Sequence, residues 1–159
     1  GNLVRLSFQN GADHGLFRLR GVGEVLLAPT RIYVRAILAA RAHLKAAAHI
    51  TGGGVPGNLP RVLPEGCAAE IDPRSWHEAP IFDGLRQRGP SDEAEMRRTV
   101  NLGLGMIVVA ARQTAAAAER ALSDAGETPQ RIGEIVAARP APDRGPDRTE
   151  NDEWRVCYR

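Results

Sequence analysis

The stretch that most constrains this chain is His49-Ile50-Thr51-Gly52-Gly53-Gly54-Val55-Pro56-Gly57-Asn58-Leu59-Pro60-Arg61. The run Ala46 to Ile50 ahead of the glycines reads as the end of a buried strand. Consecutive glycines reach backbone angles that a Cβ forbids and let the chain approach another surface closely. Free N–H groups in such a loop form a concave anion nest. A short helix opening near Gly54 adds partial positive charge at its first N–H groups. Arg61 then offers a bidentate fork for a phosphate or carboxylate. The plain alternative is a tight strand-to-helix turn followed by a surface arginine. Short glycine motifs arise often without a ligand, so residue chemistry alone leaves both readings open.

A second stretch narrows the choice. Arg98-Thr99-Val100-Asn101-Leu102-Gly103-Leu104-Gly105-Met106 runs into Ile107-Val108-Val109-Ala110, and Leu26-Leu27-Ala28-Pro29-Thr30-Arg31-Ile32-Tyr33-Val34 lies upstream. In order and spacing the three segments resemble the C-terminal domain of phosphoribosylformylglycinamidine cyclo-ligase, also called aminoimidazole ribonucleotide (AIR) synthetase. The family's Thr-Gly-Gly-Gly and Asn-x-Pro-Arg-Val-Leu-Pro stand here as Thr51 to Gly54 and Asn58 to Pro64. Its Arg-Thr-Phe-Asn-x-Gly-x-Gly-Met stands as Arg98 to Met106, with Val100 in place of the usual Phe. Asp72 and Ser75-Trp76 sit where the family has a similar Asp and Ser-Trp. The resemblance runs from about Val25 to Val136.

The resemblance implies an α+β fold, a layered α/β/α domain with a mixed sheet lacking its first strand. It implies an ATP-dependent ring closure of purine biosynthesis, in which formylglycinamidine ribonucleotide becomes AIR with release of ADP and phosphate. Substrate and phosphate contacts then fall on Thr51, Gly52, Gly53, Gly54, Asn58, Arg61, Asn101 and Gly103, with His49 as a possible addition. ATP and Mg2+ belong to the family's reaction, and an N-terminal domain supplies most of their contacts. No Asp-Gly-Val-Gly-Thr-Lys-like acidic segment of that domain is found here. The expected partners are a phosphorylated purine-pathway intermediate and either the missing N-terminal half or a second copy. The chain alone is expected to be inactive. A different class of function, a non-catalytic binding or assembly module that keeps the fold, is the alternative.

Composition sets outer bounds. The 159 residues suit one compact domain with a core of its own. Aromatic residues make up only 4%, so the core is expected to rest on small and aliphatic side chains. A formal net charge of +2 calls for neither nucleic acid nor a membrane. Cys67 and Cys157 give neither a disulfide framework nor a metal-site spacing, which fits a cytoplasmic compartment. No apolar run is long enough to span a bilayer, and Gly1 to Asn10 lacks the apolar core of a signal peptide.

Taken in order, 1–138 reads as the domain, with 1–24 a poorly matched lead-in, and 139–159 as a disordered tail rich in Pro and charge. Val4, Leu6 and Phe8 alternate like a strand, but Leu3-Val4-Arg5 resembles the start of a family helix, and the helix is preferred. A helix follows Pro29, capped by Thr30, with Tyr33, Ile37, Ala40 and Leu44 toward the core. Strands are expected at Ala46 to Ile50, Cys67 to Ile71, Leu104 to Ala110 and Arg131 to Ala137. Leu104 to Ala110 is apolar throughout and so covered on both faces. Helices are expected at Ile81 to Gln87, from a Ser91 cap to Arg98, and at Thr114 to Ala125, stopped by Gly126. In the tail, Trp154, Val156 and Tyr158 alternate and offer a short docked strand. None of His14, His43, His49 and His77 pairs with Cys or another His at metal-ligand spacing. Cys67 reads as packing rather than as a nucleophile.

Overall fold

The computed structural model describes residues 3–9, 27, 29–89, 92–139 and 152–159. The strands are β1 (Leu3–Gln9), β2 (Leu44–His49), β3 (Cys67–Ile71), β4 (Leu104–Ala111), β5 (Pro129–Gln130), β6 (Gly133–Ala137) and β7 (Val156–Tyr158). The helices are α1 (Val34–Ala40), α2 (Gly54–Asn58), α3 (Pro80–Arg88), α4 (Glu93–Thr99) and α5 (Ala115–Asp124), with short 3-10 turns at Arg41–His43, Leu59–Val62, Pro73–Ser75 and Asp152–Arg155.

All seven strands form one sheet in the order β2-β4-β1-β6-β3-β7, with β5 paired to β1. Every pairing is antiparallel except β3 with β7. The sheet is therefore mixed, as expected. β4 explains the layering: all but its last residue are buried. Ile107 and Val109 belong to an apolar cluster with Val55, Leu59 and Trp76, whereas Met106, Val108 and Ala110 join Tyr33, Ala36, Ala40, Ala118 and Leu122 from α1 and α5. Alternation along one strand thus feeds two cores, one on each face. The second core is mostly alanine, which lets α1 and α5 lie close to the sheet.

α5 ends as its sequence predicts. Gly126 takes φ 89°, its N–H bonds to the carbonyl of Ser123, and Glu127 N–H bonds to that of Leu122. This pair of bonds is the Schellman closure.

Three expectations are corrected. Leu3–Arg5 is not helical: it lies in β1, in the middle of the sheet, in register with β4 from Leu3 opposite Ala111 to Phe8 opposite Met106. The period-two pattern prevailed because a central strand satisfies its backbone on both sides. The helix after Pro29 starts later, with Tyr33 and not Thr30 at its cap position. Arg31 bonds to the Gly126 carbonyl and to Glu127 at 3.1 Å, tying the segment ahead of α1 to the end of α5. The end of the supposed tail is also ordered: β7 pairs in parallel with β3, from Ala69 opposite Val156 to Ile71 opposite Tyr158. The expected Ser91 cap and the tail over 140–151 lie outside the described residues. Asp92 caps α4 instead, accepting from Glu95 N–H at 2.8 Å.

Candidate functional site

At the end of β2 the chain turns through Thr51 and Gly52 into α2. Gly53 and Gly54 both take positive φ, 91° and 56°. Gly54 N–H bonds to the Thr51 carbonyl at 3.0 Å and Gly57 N–H to that of Gly53 at 2.9 Å. The Gly54 N–H is thus spent inside the turn and is not part of an anion nest. Asn58 is buried, and its amide donates to the carbonyls of Gly52 at 3.1 Å and Gly54 at 2.8 Å. It stitches the glycine loop together from within.

The second wall is the run from α4 into β4. Asn101 Oδ1 accepts from Gly103 N–H at 3.1 Å and the Asn101 carbonyl from Leu104 N–H at 2.9 Å. That turn carries Leu102 at φ 49°, a backbone state costing a non-glycine residue about 1 kcal/mol. Trp76 Nε1 holds the Leu102 carbonyl at 3.0 Å. With its Oδ1 occupied, Asn101 has its amide donors left for a ligand.

Between the two walls lies an open cleft of about 370 Å3, lined by Thr30, His49, Ile50, Thr51, Gly52, Phe82, Thr99, Val100, Asn101 and Gly105. His49 is exposed there, and its ring meets Tyr33 edge-on at 5.9 Å. Burial pushes the Tyr33 phenol above its ordinary value; Arg31 opposes that rise and Glu127 adds to it. α3, which carries Phe82, is tied to α4 by the Arg86–Glu93 ion pair, within a small network. Arg86 meets Glu78 at 2.6 Å and Glu93 at 2.9 Å, and Glu93 meets Arg97 at 3.0 Å. The Glu93 bond raises the Arg86 guanidinium. Partial burial pushes Glu93 up, but bonds from Arg86 and Arg97 bring it below its ordinary value.

Of the residues singled out from sequence, His49, Thr51, Gly52 and Asn101 meet in this cleft. Gly53, Gly54 and Asn58 shape the loop behind it, and Gly103 fixes the Asn101 side chain. Arg61 is exposed on the Leu59–Val62 turn and does not line the cleft. Sequence reasoning did not single out Thr30, Phe82, Thr99, Val100 or Gly105 as lining residues. Thr99 and Val100 stood inside the quoted motif, whereas Phe82 gave no signal beyond an apolar position on a short helix. The lining holds no carboxylate, and among the described residues no group of three or more His, Cys, Asp or Glu could hold a metal ion. The cleft as it stands does not fit Mg2+.

A layered α/β/α domain with an open cleft between a glycine loop and a strand-leading Asn turn defines the class. Residues 3–141 match the family described as AIR synthase related protein, C-terminal domain, and the chain belongs to that family. It is 47% identical over 125 residues to the phosphoribosylformylglycinamidine cyclo-ligase of Sorangium cellulosum (strain So ce56), covering 76% of this chain and 36% of that protein. The chain thus spans about a third of that relative's length. Among solved structures, the E. coli hydrogenase maturation protein HypE superposes with a TM-score of 0.58 at 25% identity, over 87% of this chain and 44% of that one. A HypE–HypF complex matches at a TM-score of 0.53 and 20% identity, over 87% of this chain and 47% of that one, which bears on the fold alone.

Proposed function

We propose that this chain is the C-terminal substrate-binding portion of an ATP-dependent cyclo-ligase acting on formylglycinamidine ribonucleotide. The observation that carries the reading is the meeting of His49, Thr51, Gly52, Thr99 and Asn101 in one cleft, on a chain 47% identical to a cyclo-ligase. In the reaction, ATP phosphorylates the formyl oxygen, the amidine nitrogen attacks the activated carbon, and phosphate leaves as the ring closes. The cleft's task is to bind and orient. The Thr51 hydroxyl and the Asn101 amide offer hydrogen bonds to the phosphate and hydroxyls of a ribonucleotide, whereas the Thr99 hydroxyl, which donates to Glu95 at 3.2 Å, can accept from a ribose hydroxyl. Holding it in a reactive pose removes much of the entropy cost of ring closure. Val100 and Phe82 give the cleft an apolar side. Residues outside this chain supply the carboxylates for Mg2+ and most of the contacts to ATP. The complete protein is expected to be cytoplasmic and to work as a dimer.

Complementation tests this. Purified chain is assayed for AIR formation alone and after mixing with the N-terminal remainder of the Sorangium relative. The expected result is no product alone and measurable product on mixing. Product from the chain alone would refute its incompleteness. None on mixing would overturn the enzymatic reading in favour of a binding or assembly module.

A further inference from the structure

The family match stops at residue 141, yet residues 152–159 touch both walls of the cleft from behind. The Asp152–Arg155 turn packs against α2, the Leu59–Val62 turn and β3. Arg155 is only 6% exposed. Its Nε donates to the Cys67 carbonyl at 2.7 Å, Nη1 to that of Pro60 at 3.4 Å, and Nη2 to those of Leu63 at 3.1 Å and of Pro64. A buried guanidinium requires such acceptors, and these four lie between the turn that follows α2 and the first residue of β3. Val156 completes the apolar cluster that contains Val55 and Leu59.

The other wall is held by the same segment. The Arg97 guanidinium lies 4.1 Å above the Tyr158 ring, and Arg98 meets Glu153 at 3.1 Å. Both arginines belong to α4, which delivers Thr99 and Asn101 to the cleft. The walls also meet each other: a Cβ on Gly54 would lie 1.9 Å from the Arg97 carbonyl oxygen.

We propose that Asp152–Arg159 is a built-in brace that sets the spacing between the glycine loop and the Asn101 turn, with Arg155 as the positioning residue for the loop. Arg155 does not line the cleft, so it acts only through the backbone it holds. The consequence for ligand affinity rests on the ribonucleotide reading above; the consequence for loop rigidity does not.

The test compares wild type, Arg155→Gln, Arg155→Lys and Arg159→Gln as full chains. Arg159 serves as control because it pairs with Glu70 and Glu134 on the sheet and makes none of the loop contacts. Amide hydrogen exchange is followed over residues 51–64 and over β4. Arg155→Gln is expected to speed exchange in 51–64 by about tenfold while β4 stays at the wild-type rate, a local opening and not a global one. Arg155→Lys, which keeps the charge but loses the fork, falls between and serves if the Gln variant does not fold. Arg159→Gln leaves 51–64 unchanged. In titrations with AMP as probe, affinity falls about fivefold or more in Arg155→Gln and holds in Arg159→Gln. Unchanged exchange in 51–64 for both Arg155 variants, or acceleration spread equally to β4, would overturn the brace. If wild type binds no AMP, the ribonucleotide reading fails and the exchange data alone decide the brace.

Discussion

Gly54 answers two demands at one backbone position. Its φ of 56° lies in the left-handed region, and a Cβ there would stand 1.9 Å from the Arg97 carbonyl oxygen and 3.0 Å from that of Val100. No rotamer relieves a clash between Cβ and backbone. Gly54→Ala is therefore expected to lower stability by about 2–4 kcal/mol and to push α2 away from α4. Urea denaturation reads this directly, and a wild-type midpoint would contradict it. At this scale the sequence was informative about place and less so about role. Thr51-Gly52 and Asn101 stood out and line the cleft. Asn58 stood out equally, yet its amide turns inward to the carbonyls of Gly52 and Gly54. An Asn amide serves a ligand or a loop with the same atoms, and only the fold says which.

Among the elements, those with a long local pattern were the legible ones. β4 declared itself through an unbroken apolar run, and α5 through alanine spacing with Gly126 behind it. β7 has three residues, and the alternation of Trp154, Val156 and Tyr158 offered such a strand, but its parallel pairing with β3 across most of the chain is not encoded in any local pattern. β1 did show its alternation, but likeness to a helix start outweighed it. α1 carries a testable consequence of its packing. Tyr33 at its cap is 4% exposed, and burial holds its phenol above the ordinary value. The fold thus favours the protonated form. That stability is fully present below about pH 10, the unfolded value, and is lost as pH rises through the folded value. Thermal unfolding between about pH 8 and 11 is expected to show an alkaline fall in Tm that is shallower in Tyr33→Phe. Equal slopes in the two proteins would contradict it.

The whole molecule joins four parts of the sequence at one cleft: the end of β2 with its glycine loop, the turn before β4, α3 with Phe82, and the segment ahead of α1 with Thr30. A brace from residues 152–159 holds the glycine loop and the turn before β4. The two-faced sheet was foreseeable from the unbroken apolar run of β4 and from the family resemblance, but the brace was not, because a buried arginine in a charged, proline-rich stretch looks like any surface arginine. The central claim is that this cleft takes a ribonucleotide monophosphate through Asn101. It is tested most directly by calorimetric titration of AMP into wild type, Asn101→Ala and Arg61→Ala. The expected result is saturable binding by wild type, weakened at least about tenfold (about 1.4 kcal/mol) in Asn101→Ala and altered less than about twofold in Arg61→Ala. No saturable binding by wild type, or equal affinity in Asn101→Ala, would contradict it.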